Sequence, residues 1–420
     1  MLAKCCSVFV TICLNRLIFK QNKSINLLNS MTIASLFIVF LNTPIVSNAS
    51  TTCNEKNISQ RMLNFMEKYH IDGATVLIAN QGKIQTCLFG DAVPAKHIPV
   101  SEDTIFELGS ITKTFTGIIL AQSIMSGKSQ LSDSIDHDSI ATLSPTLRKI
   151  TYLELATYTS GLPFNAAALP YNVSASMKNQ IKLSNYLKGL APAFQPGSHM
   201  LYSNLGFGIL GQILAKKEQV SLDELMKRDI LSPLKMSSAG LNINPNNQKH
   251  LAQGYTAQGK PVPYLSSGLF GGAWAMRAST KDMQAYLMAV LGEQFTSKNI
   301  HQAIQLSQRA YYDMPSEEME LGLGWLITPL NKPGGIKKLV HQPDHYNFVP
   351  YKAKKIQKPR FNSNALIGKM GATDGFRAYI AVIPAKRTGI VIMINRFIPS
   401  SGALPNLANE ILLKESHITI

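Results

Sequence analysis

The chain has 420 residues, 45% apolar and 16% charged, with a formal net charge of +16. That balance excludes a disordered polymer and allows a large core in two lobes. The positive excess fits attraction to an anionic surface or a small anionic substrate. No recognition-helix pattern, zinc spacing or aromatic platform accompanies it, so no nucleic-acid partner is expected.

Residues 1–49 carry Lys4, Arg16, Lys20 and Lys23 and no acid. Their two apolar runs, 5–19 (broken by Arg16) and 33–41, are short for a membrane span. Ser47-Asn48-Ala49 offers small residues for signal cleavage. Residues 1–49 therefore read as an export signal cut near Ala49, with Met31 as an alternative start. This predicts a periplasmic protein with no lasting membrane anchor. Cys53 and Cys87 then remain, either bridged or as two free thiols.

Helical apolar spacing marks 57–69 through Ile58, Met62, Phe65 and Met66. Residues 74–79 and 83–89 read as a hairpin turned at Asn80-Gln81-Gly82. A largely buried helix is expected from Ser110 to near Gly127. Further helices are expected at 151–157, 176–190, 205–219, 221–230 and 280–291, around a glycine-rich loop at 268–272. Residues 378–383 and 389–395 are strand-like, and Leu404, Leu407, Ala408, Ile411 and Leu412 mark one face of a last helix. Strands at both ends with helices between predict an α+β fold. Its antiparallel sheet is built from the N- and C-terminal segments and flanked by helices, beside a mainly helical lobe. The expected unit spans 50–420, with a sheet lobe from about 50–130 and 320–420 and a helical lobe from about 131–319. A cleft between lobes is a favoured place for a site.

Chemistry-bearing residues recur in three places. Ser110 and Lys113 form Ser-x-x-Lys in Phe106-Glu107-Leu108-Gly109-Ser110-Ile111-Thr112-Lys113. One helical turn brings an amine beside a hydroxyl, where it can take the proton or hold a base that does. Tyr202-Ser203-Asn204 follows a Pro196-Gly197 turn. A phenol near ammonium groups can become a base, and an asparagine can bond both a lysine and a substrate amide. Lys369-Met370-Gly371-Ala372-Thr373 precedes a strand, where small residues let a substrate lie along the backbone and an N–H can hold an oxyanion. Each alone also reads as ordinary structure: a chance spacing, a packed tyrosine, an exposed edge lysine.

Together, in order and rough spacing, the three motifs resemble those of serine β-lactamases and penicillin-binding proteins. The tyrosine, and the stretches 106–117, 157–163 and 371–395, resemble class C enzymes. The resemblance spans about 58–414. It implies that Ser110 is the nucleophile and that Lys113 keeps it deprotonatable. It further implies that Tyr202 is the general base, Asn204 positions Lys113 and the substrate amide, and Lys369 lowers the pKa of Tyr202 and attracts a substrate carboxylate. The N–H groups of Ser110 and Ala372 would form the oxyanion hole, and Asn165, Gly371 and Met370 would line the substrate. The implied reaction is β-lactam hydrolysis by a monomer without cofactor or metal. A peptidase acting on D-amino acids, an esterase, and a β-lactam sensor that acylates without turnover are the alternatives.

The departures fall on the substrate grips. Met370 replaces a hydroxyl residue, Ser400 and Ala403 stand where an asparagine and an arginine are usual, and Asn165 replaces a glutamine. Arg377 is a candidate to compensate. Other motifs carry less. Gly206-Phe207-Gly208-Ile209-Leu210-Gly211 lacks the strand context of a dinucleotide site, and close helix packing explains it better. His341-Gln342-Pro343-Asp344-His345 has no third ligand motif. Trp274 reads equally as a cleft wall or a core residue.

Overall fold

The computed structural model describes Cys53 and residues 56–135, 143–170, 173–174, 176–293, 297–332, 334–342 and 349–419, all within the compact unit Ala49–Ile420. The expected export signal and the Pro343–His345 part of the histidine motif lie outside the described residues. None of the described helices is long and apolar enough to cross a membrane.

One antiparallel sheet of ten strands organises the chain. In spatial order its strands are Lys354–Arg360, Ala310–Met314, Met319–Leu321, Leu326–Pro329, Ala365–Ala372, Arg377–Ile383, Thr388–Ile394, Gly73–Asn80, Lys83–Val93 and Ile98–Pro99. The N-terminal hairpin joins the C-terminal strands where Ala74 faces Ile394 and Asn80 faces Thr388. The sheet thus closes both ends of the chain into one layer.

The central strands are apolar on both faces because both faces are covered. In Thr388–Ile394 every residue is buried. Val391 and Met393 join the larger core under the helical lobe. Ile390, Ile392 and Ile394 join a second core beneath the helices Lys56–Tyr69 and Ala403–Glu415. The period of two persists, but with apolar residues on both sides the sequence shows a continuous run.

Two boundaries differ from the sequence expectation. The sheet begins its C-terminal run at Ala310, not near 320, because Ala310–Met314 pairs with both Met319–Leu321 and the edge strand Lys354–Arg360. Thr280–Leu291, expected in the helical lobe, lies against the central strands. Its capping box has Ser279 accepting from the Asp282 N–H and Asp282 accepting from the Ser279 N–H. Thr151 and Glu154 cap the short helix Tyr152–Ala156 in the same way.

The sheet also leaves one backbone edge open. Leu326–Pro329 pairs with Ala365–Gly368 and stops there. Beyond it, among the described residues, no strand pairs with Lys369–Ala372 on that side. The 3-10 turn Gly109–Ile111 packs here instead. The approach is so close that a Cβ on Gly371 would lie 1.9 Å from the Leu108 carbonyl oxygen, and one on Gly109 would lie 2.5 Å from the Ala372 nitrogen.

Cys53 and Cys87 are bridged, with Cα atoms 4.5 Å apart. The bridge ties the segment before the first helix to the second strand.

Two outcomes follow. Gly371→Ala forces strand and turn apart, and should cost about 1–3 kcal/mol in urea unfolding; an unchanged midpoint would contradict the packing. Replacing Cys53 and Cys87 by alanine should cost about 2–4 kcal/mol in urea unfolding; an unchanged midpoint would show that the bridge does not constrain the unfolded chain.

Candidate active site

Ser110 lies in the Gly109–Ile111 turn, one turn ahead of the α-helix proper, Thr112–Met125. Contrary to the expected helix start at Ser110, the serine sits in the 3-10 turn and the helix begins at Thr112. Gly109 permits the turn by adopting φ +51°. Thr112 anchors it, donating to the Gly109 carbonyl at 2.6 Å and accepting from the Met276 N–H at 2.9 Å. Ser110 is half-buried, while Lys113 behind it is fully buried.

Lys113 Nζ has three oxygen neighbours: Ser110 Oγ at 3.0 Å, Asn204 Oδ1 at 2.7 Å and the Ala273 carbonyl at 2.7 Å. All three are neutral. Burial, and repulsion from Lys369, push the ammonium pKa well below its ordinary value. A neutral amine has two hydrogens and one lone pair. Donating the hydrogens to the two carbonyl oxygens leaves the lone pair facing the Ser110 hydroxyl.

Asn204 starts the helix Asn204–Glu218. Ser203 caps it, accepting from the Gly206 N–H at 2.9 Å, and donates to the Pro163 carbonyl at 2.7 Å. Asn204 Nδ2 in turn donates to Asn165 Oδ1 at 3.0 Å, so Asn165 is held at the same wall. The orientation of the Asn204 amide is therefore determined at both ends.

Tyr202 is buried, and the hydroxyls of Ser110 and Tyr158 are the polar side-chain groups that act on its own. Lys113 and Lys369 lie 4.8 and 4.6 Å from its ring centroid. Burial nevertheless raises its pKa, with the two hydrogen bonds only partly opposing the rise. The expectation that Lys369 lowers it is corrected here. Burial brings Lys369 itself down to a pKa of about 7, and it depresses Lys113 further. Tyr202 is thus held as the phenol by its own burial, and the lysine charges that would favour a phenolate are themselves disfavoured there.

Lys369 is buried and points into the cleft from the open strand edge. Gly371 and Ala372 lie against the serine turn. Met370, between Lys369 and Gly371, projects to the opposite face. It is half-buried against the outer core, which contains Tyr379 and Leu404. It is therefore not among the cleft groups, contrary to its expected place beside the substrate. Arg377 does not compensate for the altered grip. Its Nε and Nη2 both donate to the Ile398 carbonyl, at 3.0 and 2.5 Å, and its guanidinium stacks on Phe397. Ser400 Oγ accepts from the Ala403 N–H at 3.1 Å. Trp274 is a core residue, 5% exposed and packed near Phe270.

The structure thus brings together Ser110, Lys113, Tyr202, Asn204, Asn165, Lys369, Gly371 and Ala372. Two participants had no sequence signal of their own. The Ala273 carbonyl acts through backbone alone. Tyr158 sits in the conspicuous Thr157-Tyr158-Thr159-Ser160-Gly161 stretch, but its contact with Tyr202 is visible only in three dimensions. No cluster of three or more potential metal ligands occurs among the described residues.

The same arrangement has known relatives. A beta-lactamase family model matches residues 58–413. A beta-lactamase of Escherichia coli (strain K12) is 32% identical over 339 residues, 80% of this chain and 87% of its own length. One from Pseudomonas fluorescens is 30% identical over 338 residues, 80% of this chain and 92% of its own. Among solved structures, a class C beta-lactamase in complex with cefoxitin matches with a TM-score of 0.77 at 28% identity, covering 85% of this chain and 97% of its own. A beta-lactamase/D-alanine carboxypeptidase from Pseudomonas syringae matches with a TM-score of 0.77 at 28% identity, covering 84% and 97%. On this sequence and fold, and with a buried Ser-Lys-Tyr-Lys cleft, the chain belongs to the beta-lactamase family, among its class C serine members.

Proposed function

We propose that the protein hydrolyses β-lactams through an acyl-enzyme on Ser110, with Lys113 as the base that takes the serine proton. One observation carries this. Lys113 Nζ lies 3.0 Å from Ser110 Oγ while two carbonyl oxygens, each at 2.7 Å, occupy its hydrogens. The amine can accept a proton without any group moving.

The steps balance. The Ser110 hydroxyl proton passes to Lys113 as Oγ bonds to the lactam carbonyl carbon. The backbone N–H groups of Ser110 and Ala372 hold the oxyanion, supported by the packing of the serine turn on the strand edge. As the tetrahedral intermediate collapses, the C–N bond breaks. The leaving nitrogen takes the proton of Tyr202, and the Lys113 ammonium reprotonates the phenolate. In the second half, water gives a proton to the same Lys113–Tyr202 pair and attacks the ester carbonyl. Ser110 Oγ leaves with that proton. Asn165 and Asn204 are placed to hold the acyl side-chain amide.

Lys369 supplies charge for a substrate carboxylate. The arginine usual in this part of the family's site is absent, with Ala403 in its place, and Arg377 is held by Ile398. This favours a second reading, a peptidase or esterase whose acyl donor depends less on a carboxylate. The disulfide supports an oxidising compartment, and with the leader-like residues 1–49 it supports a periplasmic location.

Mixing the protein with a chromogenic cephalosporin should give turnover, and a transient mass increase on Ser110, both abolished by Ser110→Ala. A lasting adduct without turnover would support the sensor reading. Neither adduct nor turnover would overturn the lactamase assignment and leave the esterase.

A pH dependence follows from Lys369. Its pKa is depressed to about 7, so the free enzyme carries that charge below pH 7 and loses it above. The KM of a carboxylate-bearing β-lactam should therefore rise as pH increases through about 7. That of an uncharged ester should not, and Lys369→Arg should flatten the difference. Parallel KM profiles for both substrates would contradict the assignment.

A further inference from the structure

Tyr158 is fully buried at the centre of the site and has no part in the three motifs. Its backbone is held at φ +61°, a region that residues with a Cβ seldom adopt. Such strain persists only where the surroundings over-determine it. Here the Tyr158 carbonyl accepts from the Leu201 N–H at 2.8 Å, joining it to the segment that carries Tyr202. Its ring stacks on Tyr202, with centroids 4.7 Å apart and planes 17° apart, and Phe207 lies 5.1 Å away. Lys369 Nζ sits 4.9 Å from the Tyr158 ring and 4.6 Å from that of Tyr202. The strained backbone therefore aims one phenol at another.

The hydroxyl chemistry gives this a purpose. A phenol has one proton and accepts through its lone pairs. The Tyr158 hydroxyl donates to the Gly324 carbonyl at 3.4 Å, and the Tyr202 hydroxyl, on the ring stacked against it, is the alternative acceptor. When Tyr158 donates to Tyr202, a lone pair of Tyr202 is occupied and its own proton must point elsewhere. The other partner of Tyr202 is Ser110, where the leaving group departs. The same hydrogen bond stabilises the phenolate that remains once Tyr202 has given up its proton.

Resting on acyl transfer at Ser110, we propose that Tyr158 is a positioning residue that turns the Tyr202 proton toward the leaving group and stabilises the phenolate left behind. It does not touch substrate itself. Its importance should therefore scale with how much the leaving group needs a proton. A basic lactam nitrogen or aliphatic alkoxide cannot leave without one; an activated nitrophenolate can.

Tyr158→Phe tests this, because it keeps the ring and the stacking and removes only the hydroxyl. Single-turnover acylation of Ser110 would be followed with a β-lactam and with a nitrophenyl ester, in wild type and variant. The expected result is a loss of about tenfold with the β-lactam, at unchanged KM, and less than about twofold with the nitrophenyl ester. An equal loss on both substrates would make Tyr158 a merely structural residue, and no loss on either would leave it without a role; both overturn the proposal. If wild type acylates with neither substrate, acyl transfer at Ser110 fails first and the proposal fails with it.

Discussion

A lysine amine held without a counter-charge is the constraint on which the site depends. Lys113 is buried and meets only neutral oxygens. An ammonium there lacks the carboxylate that normally offsets desolvation. Burial shifts the amine toward its neutral form, the form that can take a proton from serine. The structure holds this unfavourable burial in place by distributing its supports. The helix Thr112–Met125 contributes the lysine, the helix Asn204–Glu218 an amide oxygen, and the short helix Gly271–Trp274 a carbonyl. Thr116 adds a further tie by donating to the Gly272 carbonyl at 2.7 Å. Three separate elements must be packed before the amine has its geometry.

The second lysine extends the same logic. Lys369 comes from the strand segment that, among the described residues, runs beyond Leu326–Pro329 without a strand partner on that side. Two amines near a single phenol would lower its pKa if both were charged. Burial disfavours both charges, and repulsion from Lys369 adds to the effect at Lys113. The result is a site in which burial holds the phenol proton and disfavours both ammonium charges, so that Lys113 is tuned toward receiving a proton. Acid and base roles are thereby divided between Tyr202 and Lys113 by environment rather than by residue type.

Much of this was legible in the sequence. The helices at 280–291 and 403–415 and the terminal hairpin were readable because their apolar spacing or turn residues act locally. The strands from Ala310 to Pro329 were not, because they are short and all three are mostly buried. Ser110, Lys113, Tyr202, Asn204 and Lys369 were found because side-chain chemistry recurs at a spacing. The Ala273 carbonyl was not, since a backbone oxygen leaves no trace in residue identity. Met370 was misplaced because a motif read linearly ignores that neighbours in a strand face opposite ways. Arg377 was misread for a related reason: its charge was visible, but the carbonyl that holds it lies 21 residues away. The electrostatics were the least legible, since the pKa directions depend on burial that no local pattern reports.

The protonation state of Lys113 tests the account most directly. Nitrogen NMR of the free enzyme with labelled lysine, assigned through Lys113→Arg, distinguishes a neutral amine from an ammonium. The account predicts a neutral-amine resonance for Lys113 at neutral pH that converts to ammonium only on acidification. An ammonium signal persisting for Lys113 through neutral pH would contradict it, and would return the role of base to Tyr202.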